Sequence, residues 1–248
     1  MTTDYDRIGT LYRRAKEQPW RSRLEAPSMM QLVGDVRGRR VVDLACGEGF
    51  FTRKLKRAGA TRAVGIDISR EMIALAESHE AAEPIGCEYR VEDARAAGAE
   101  RDFDLSVSGW LLVYAHDRAE LAVMCRGIAD RLRSGGRFVT LTTNPALREF
   151  GREPDYRRYG FDIDVADTAS EGAPIVWTIH LDEHTSFEIE NYYLPVEVLV
   201  SSLRDAGMRD VRVHALTLAP DPRAGDEDGY WSEFLRYPPA IMLDGVKA

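Results

Sequence analysis

The run Val41-Val42-Asp43-Leu44-Ala45-Cys46-Gly47-Glu48-Gly49 constrains the fold of this chain more than any other. An apolar stretch with an acid near its end, followed by two glycines one residue apart, describes a strand turning tightly into a helix from Phe50. A second apolar run, Ala63-Val64-Gly65-Ile66, ends at Asp67. That acid stands about 20 residues beyond the glycine turn, where a doubly wound α/β fold holds the hydroxyls of a ribose. Together the two features predict a nucleoside-binding half. A dinucleotide fold asks for G-x-G-x-x-G, but Thr52 occupies the third glycine position and the bulky Phe50 and Phe51 precede it. A pyrophosphate is given no room, which leaves an NAD-type oxidoreductase as the alternative reading.

From Val41 to Thr142 strand and helix patterns alternate. Strands are predicted at 41–45, 62–66, 87–91, 103–108 and 136–142, and helices at 50–58, 71–80 and 118–133. The third helix opens on Asp117 with Glu120 three residues on, carries Leu121, Met124, Cys125, Ile128 and Leu132 as its apolar stripe, and meets Gly135-Gly136. Such βα alternation implies right-handed crossovers and a parallel sheet. Residues 4–33 read as helical, with Ile8, Leu11, Tyr12 and Ala15 on one face and a break at Pro19. Beyond Thr142 the pattern changes. Residues 143–173 are rich in Arg, Asp, Gly and Pro, and the alternating segments Ile175–His180 and Thr185–Tyr193 then read as an antiparallel pair. A helix over 195–206 stopped by Gly207, a strand over Val211–Leu218, a surface loop at 221–229 and a last strand over Pro239–Val246 complete the chain.

A net charge of −8 argues against a dedicated nucleic-acid surface, which needs clustered Lys and Arg. The basic run Arg53–Arg57 shares its helix with apolar Phe51, Leu55 and Ala58, so it reads as a solvated face. Cys46, Cys87 and Cys125 lack metal-ligand spacing and fit reduced thiols in a cytoplasmic protein. Neither a signal-peptide pattern nor a membrane-spanning run is present, so no membrane partner is expected.

The D-x-A-C-G-x-G form of residues 43–49, with Asp67 in register, resembles the first motif of class I S-adenosylmethionine (SAM) methyltransferases. The resemblance implies that the loop backbone of Ala45, Gly47 and Gly49 lies against the methionine end of SAM, where N–H groups and the helix dipole favour a carboxylate. It implies Asp67 on the ribose, with Ile68 and Met72 against the nucleoside, although Met72 suits a core equally. In Glu92-Asp93-Ala94 it implies Asp93 and Ala94 on adenine, unless Asp93 only caps a helix. Phe103–Leu112 resembles a later motif, placing Ser108 and Gly109 at the end of strand four, where open sheets bind ligands, with Trp110 either walling the cofactor or packing. Tyr5, Tyr12, Trp20 and Arg21 suit either a lid, with aromatic faces for the sulfonium and Arg21 for the SAM carboxylate, or a helix packed on the sheet.

The opening Tyr5-Asp6-Arg7, Pro19-Trp20-Arg21 with Glu25, Trp110-Leu111-Leu112 with Tyr114-Ala115, and Phe187–Leu194 extend the likeness. They resemble a bacterial small-molecule group that includes toxoflavin-type azapteridine N-methyltransferases and phosphonate O-methyltransferases. The implied architecture is a single domain with a doubly wound, Rossmann-like, seven-stranded, mostly parallel sheet and an antiparallel last strand. Residues 1–35 would be a helical lid, 36–142 the SAM-binding core, 143–194 a β insertion over the active-site face, and 195–248 the rest of the core.

The implied reaction is methyl transfer from SAM to a nitrogen, or an oxygen, of a small secondary-metabolite-like acceptor, with S-adenosylhomocysteine as product. A SAM-binding protein without turnover is the other reading. DNA-type motifs ([DNS]-P-P-[YFW], or a Pro-Cys pair) are absent, and so is the acid cluster of metal-dependent catechol enzymes, so no metal is expected. Such a displacement asks mainly for alignment and exclusion of water. If a base is needed, His116 and Glu190 are the candidates carried forward, ahead of His180 and His184. Trp20, Trp110, Tyr114 and Asn144 are the expected acceptor contacts.

Overall fold

The computed structural model describes residues 11, 14–15, 17–98, 100–151, 154–166, 170–219 and 229–248. Five strands form in parallel: β1 (Arg40–Leu44), β2 (Arg62–Asp67), β3 (Cys87–Val91), β4 (Phe103–Gly109) and β5 (Leu132–Thr143). Together with β9 (Met208–His214) and β10 (Ala240–Lys247) they give a seven-stranded sheet of order β3-β2-β1-β4-β5-β10-β9. β10 runs antiparallel to both β5 and β9 and is the one reversed strand. The order turns back between β1 and β4, the switch point at which such sheets bind ligands.

Period-two alternation sends Val41, Val107 and Val139 to one face of the sheet and Val42, Leu44, Phe138 and Leu243 to the other. The first face packs on α1 (Ala26–Val33) and α2 (Phe50–Arg57), and the second on α4 (Arg118–Arg131) and α5 (Val196–Asp205). Between β2 and β3 lies α3 (Arg70–Ala82), and α6 (Ser232–Arg236) precedes β10. A second, antiparallel sheet of order β6-β7-β8 is formed by Phe161–Val165, Pro174–His180 and Ser186–Tyr192. A largely aromatic core, including Trp20, Trp110, Trp177, Phe161 and Phe234, joins it to the main sheet.

Several elements differ from the sequence expectation. β5 starts at Leu132, directly after α4, because Lys247 Nζ donates to the Ala129 and Leu132 carbonyls and so closes the helix without Gly135-Gly136. Gly207, at φ +88°, turns the chain straight into β9, three residues earlier than expected. β6 and α6 were not anticipated. The N-terminal segment breaks at Glu17-Gln18, just ahead of the expected Pro19, and the helix resumes at Pro19-Trp20 and runs through a π turn at Arg21–Glu25 into α1. Tyr5, Ile8, Tyr12 and the loop at 221–228 lie outside the described residues.

Candidate cofactor and acceptor site

Ala45, Gly47 and Gly49 all have left-handed backbone, with φ of 55°, 55° and 83°. This compresses the link between β1 and α2 into a tight loop, tied to β2 by the Cys46 N–H on the Ile66 carbonyl at 3.0 Å. Gly47 N–H donates to Asp67 Oδ2 at 2.8 Å, and Ser69 N–H donates to Asp67 Oδ1 at 2.9 Å. Ser69 itself caps α3, its Oγ accepting the Met72 N–H at 3.1 Å. The Asp67 carboxylate therefore spans the loop and the next helix. An ionised carboxylate accepts about four hydrogen bonds, so it can hold this loop and a ligand's hydroxyls together. Behind the loop, Thr52 Oγ1 donates to buried Asp43 Oδ2 at 2.7 Å. The position that a dinucleotide fold leaves empty is thus filled by a side-chain hydrogen bond. Gly49 faces Tyr89 rather than open space, since a Cβ there would stand 2.3 Å from the Tyr89 hydroxyl.

At the C-terminal ends of β1, β2 and β4 opens a cavity of about 400 Å³. One end is Ala45, Gly47 and Asp67, with the side chain of Ile68 exposed at the rim and Met72 below it. Met72 serves both expected roles, lining the cavity and packing in the aromatic core. The other end is the turn Asp93-Ala94-Arg95, walled by Leu111 and Met124. Arg131, 2% exposed, fixes that turn by donating to the carbonyls of Asp93, Ala94, Ala96 and Gly127 and to Glu92. Gly127 lets α4 approach closely, because a Cβ there would stand 2.2 Å from the Ala94 oxygen. Burial pushes the Asp93 carboxyl up, but its hydrogen bonds from Arg95 outweigh burial and hold it below its ordinary value. Asp93 therefore makes a turn bonded to its own neighbour. Ala94 N–H, by contrast, makes no hydrogen bond among the described residues. A flat base between Leu111 and Met124, with its edge on Ala94 and a sugar at Asp67, fits this donor set.

Gly109 and Trp110 form the far wall. Trp110 has a left-handed backbone, φ +71°, costly for a large residue, and its N–H donates to the Leu141 carbonyl at 2.9 Å. Trp110 and Tyr114 also line a second, narrow space of about 20 Å³, shared with Trp20, Arg21, Trp177, Ile179, Ile189 and Asn191. Among the described residues, no Asp, Glu, His or Lys lines this slot. Trp177 and Asn191 reach it from one face of the second sheet, where Trp177 pairs with Ile189 and Ile175 with Asn191.

Several expectations are corrected here. Ser108 is fully buried with its Oγ 2.8 Å from Thr140 Oγ1, on the strand face that alternation turns away from the cavity. Asn144 spends its amide on the Pro238 carbonyl and the Ala146 N–H, starting a short turn, and lines neither space. Arg21 lies in the slot, not the cavity, because its guanidinium is held by Glu25 at 2.6 Å and by the Ala15 carbonyl at 3.1 Å. Glu190 alternates to the face opposite Ile189 and Asn191, and the Tyr192 hydroxyl that donates to it keeps its carboxyl below the ordinary value, a poor setting for a base. His116 does line the cavity. Its Nδ1 lies 2.8 Å from Glu120 Oε2, and its ring stacks on Tyr192 at 3.8 Å. Glu120, which also accepts the His116 N–H at 3.0 Å, was missed, as were Leu111, Arg95 and Met124. The helical spacing of Glu120 and Met124 was the available signal.

Among the described residues no group of three or more His, Cys, Asp and Glu could hold a metal ion, and no helix is long and apolar enough to cross a membrane.

Residues 41–136 match the model of the methyltransferase domain family. The ubiquinone biosynthesis O-methyltransferase of Methylococcus capsulatus is 30% identical over 129 residues, covering 50% of this chain and 53% of that protein. Its namesake from Xylella fastidiosa is 32% identical over 115 residues, 46% of this chain and 45% of that one. The chain thus spans about half the length of the curated relatives it matches. Among solved structures, an S-adenosylmethionine-dependent methyltransferase from Mesorhizobium loti aligns with a TM-score of 0.63 at 22% identity, over 90% of this chain and 97% of the other. The CcbJ methyltransferase of Streptomyces caelestis aligns with a TM-score of 0.66 at 17% identity, over 100% of this chain and 99% of the other. These likenesses establish a Rossmann-like methyltransferase fold.

Proposed function

We propose that this chain transfers a methyl group from SAM to a small organic acceptor, at nitrogen ahead of oxygen, and releases S-adenosylhomocysteine. One observation carries the reading: the cavity over Asp67 meets, at Trp110 and Tyr114, a second, narrow space with largely aromatic walls. SAM supplies an activated methyl carbon when bound. Asp67 would hold its ribose end and Ala94 its base edge, while Trp110 and Tyr114 stand between cofactor and acceptor and keep water out. A slot without a carboxylate, histidine or lysine suits a nucleophile whose lone pair is already free, which favours nitrogen. The relatives named as O-methyltransferases pull toward oxygen, but the family model ends at residue 136, before the strands that build the slot. The finer placement, near toxoflavin-type azapteridine N-methyltransferases, rests on the sequence resemblance.

Calorimetric titration with S-adenosylhomocysteine and, separately, NAD⁺ tests the cofactor half of this reading. Micromolar binding of S-adenosylhomocysteine without NAD⁺ binding is expected. Binding of NAD⁺ alone would overturn it.

A further inference from the structure

Besides Asp67, three carboxylates among the described residues line the cavity: Glu92, Asp93 and Glu120. Glu92 is drawn to the buried Arg131 that holds the turn from behind. Asp93 is taken up by its own neighbour. Its Oδ1 accepts the Arg95 N–H at 2.8 Å and Arg95 Nε at 3.0 Å, and its Oδ2 accepts Nε at 3.0 Å and Nη2 at 2.8 Å. A carboxylate offers about four acceptor sites, and Arg95 fills them. Glu120, in the first turn of α4, is held differently. The His116 N–H at 3.0 Å and His116 Nδ1 at 2.8 Å both fall on its Oε2, and its Oε1 has no hydrogen-bond partner among the described residues. The backbone and ring bonds from His116, with a smaller attraction from Arg95, hold the Glu120 carboxyl below its ordinary value, so it is ionised and can only accept. That attraction, and its place one helical turn before Met124, put Glu120 beside the turn on which a base edge would rest.

Resting on the methyl-transfer reading, we propose that Glu120 Oε1, and not Asp93, accepts the 6-amino group of the SAM adenine, and that His116 is the positioning residue that leaves this oxygen to the cavity. Adenine presents two groups along one edge, the ring nitrogen N1 as an acceptor and the 6-amino group as a donor. The Ala94 N–H answers the first, and the Glu120 carboxylate answers the second. A 6-oxo purine reverses both groups, since its N1 carries a hydrogen and its 6-position a lone pair. Ala94 and Glu120 together therefore select adenine over hypoxanthine, because the wrong base leaves each of them facing its own kind. His116 is itself fixed from the second sheet, its ring stacked on Tyr192 of β8 with centroids 3.8 Å apart. The acceptor that the saturated Asp93 lacks is thus supplied from α4, through a residue braced by the strands over the site.

The test is calorimetric titration of S-adenosylhomocysteine beside its congener with hydrogen in place of the 6-amino group, which keeps N1 as an acceptor. Wild type, Glu120→Gln, His116→Phe and Asp93→Asn are compared, with melting temperatures as the check on folding. The ratio of the two dissociation constants is read, so that changes elsewhere in the site cancel. Wild type should prefer S-adenosylhomocysteine about tenfold, the worth of a hydrogen bond to a partly exposed carboxylate. Glu120→Gln should bring the ratio to about one, because the His116 N–H keeps the amide oxygen and an NH2 then faces the 6-amino group. His116→Phe keeps the stack on Tyr192 but loses Nδ1, and should lower the ratio about threefold. Asp93→Asn should keep the full ratio. Equal binding of both congeners by wild type overturns the proposal, and so does a full preference in folded Glu120→Gln. An undiminished ratio in His116→Phe overturns it as well, which decides the matter if Glu120→Gln does not fold. Loss of the preference in Asp93→Asn alone would return the contact to Asp93. If wild type binds neither congener, it is the methyl-transfer reading that falls.

Discussion

The Asp67 carboxylate gathers the N–H groups of Gly47 and Ser69 at the cavity mouth, and a ribose diol would add two more donors to it. Hydrogen bonds to a charged group are worth about 1.5–3 kcal/mol each, so Asp67→Ala should weaken S-adenosylhomocysteine binding by about 100-fold or more. Calorimetry on that variant checks this, and unchanged affinity in a folded variant would remove Asp67 from the ribose. Residues whose place follows from backbone turns and strand ends, such as Gly47 and Asp67, were legible as cavity-lining because their spacing along the chain sets that place. Ser108 was not, since strand alternation sends neighbouring residues to opposite faces and nothing local in the sequence says which face meets the ligand. Trp177 and Asn191 were out of reach for a related reason. Their meeting with Trp110 depends on how one sheet lies on the other, over contacts far apart in sequence.

β3 is an edge strand, and charged side chains occupy it. Arg62 on β2 donates to Glu88 at 2.7 Å and to Glu100, while Arg90 pairs with Glu100 at 2.8 Å. Charges of both signs along an edge also discourage pairing with another chain. The Arg62 hydrogen bond, outweighing burial and aided by Arg90, lowers the Glu100 carboxyl to about 2. A carboxylate whose folded value is depressed adds stability above its unfolded value. That stability is lost as pH falls through the window from about 4.5 to about 2. Urea midpoints measured on both sides of the window should converge between wild type and Glu100→Gln at the acid end, and separate at neutral pH with wild type the more stable. An equal gap at both ends would show that the network does not carry this effect. The elements themselves were legible where the pattern was long. In β6, Phe161, Ile163 and Val165 alternate with Asp162 and Asp164, a readable period of two hidden by the charged, glycine-rich residues around it. α6 spans five residues, too short for a helical period to show.

Across the whole molecule, a ligand that binds only the folded state stabilises it by about 2.7 kcal/mol at 100 times its dissociation constant. For a chain of this size, that is a rise in melting temperature of about 5–10 °C. S-adenosylhomocysteine should produce this rise and NAD⁺ should not, and a differential scan with each checks it. The global topology was readable because strand and helix alternate from Val41 to Thr142, and parallel sheets admit few ways to connect them. The slot belongs to the part where that grammar stops. Its aromatic walls have an optical consequence as well. The chain has four tryptophans, and Trp20, Trp110 and Trp177 all line the slot. Intrinsic emission is therefore a built-in reporter concentrated at the slot, while the larger cavity touches Trp110 alone among them. Filling the slot should perturb three emitters and filling the cavity one, so a single unlabelled sample can separate the arrival of a ligand in each space.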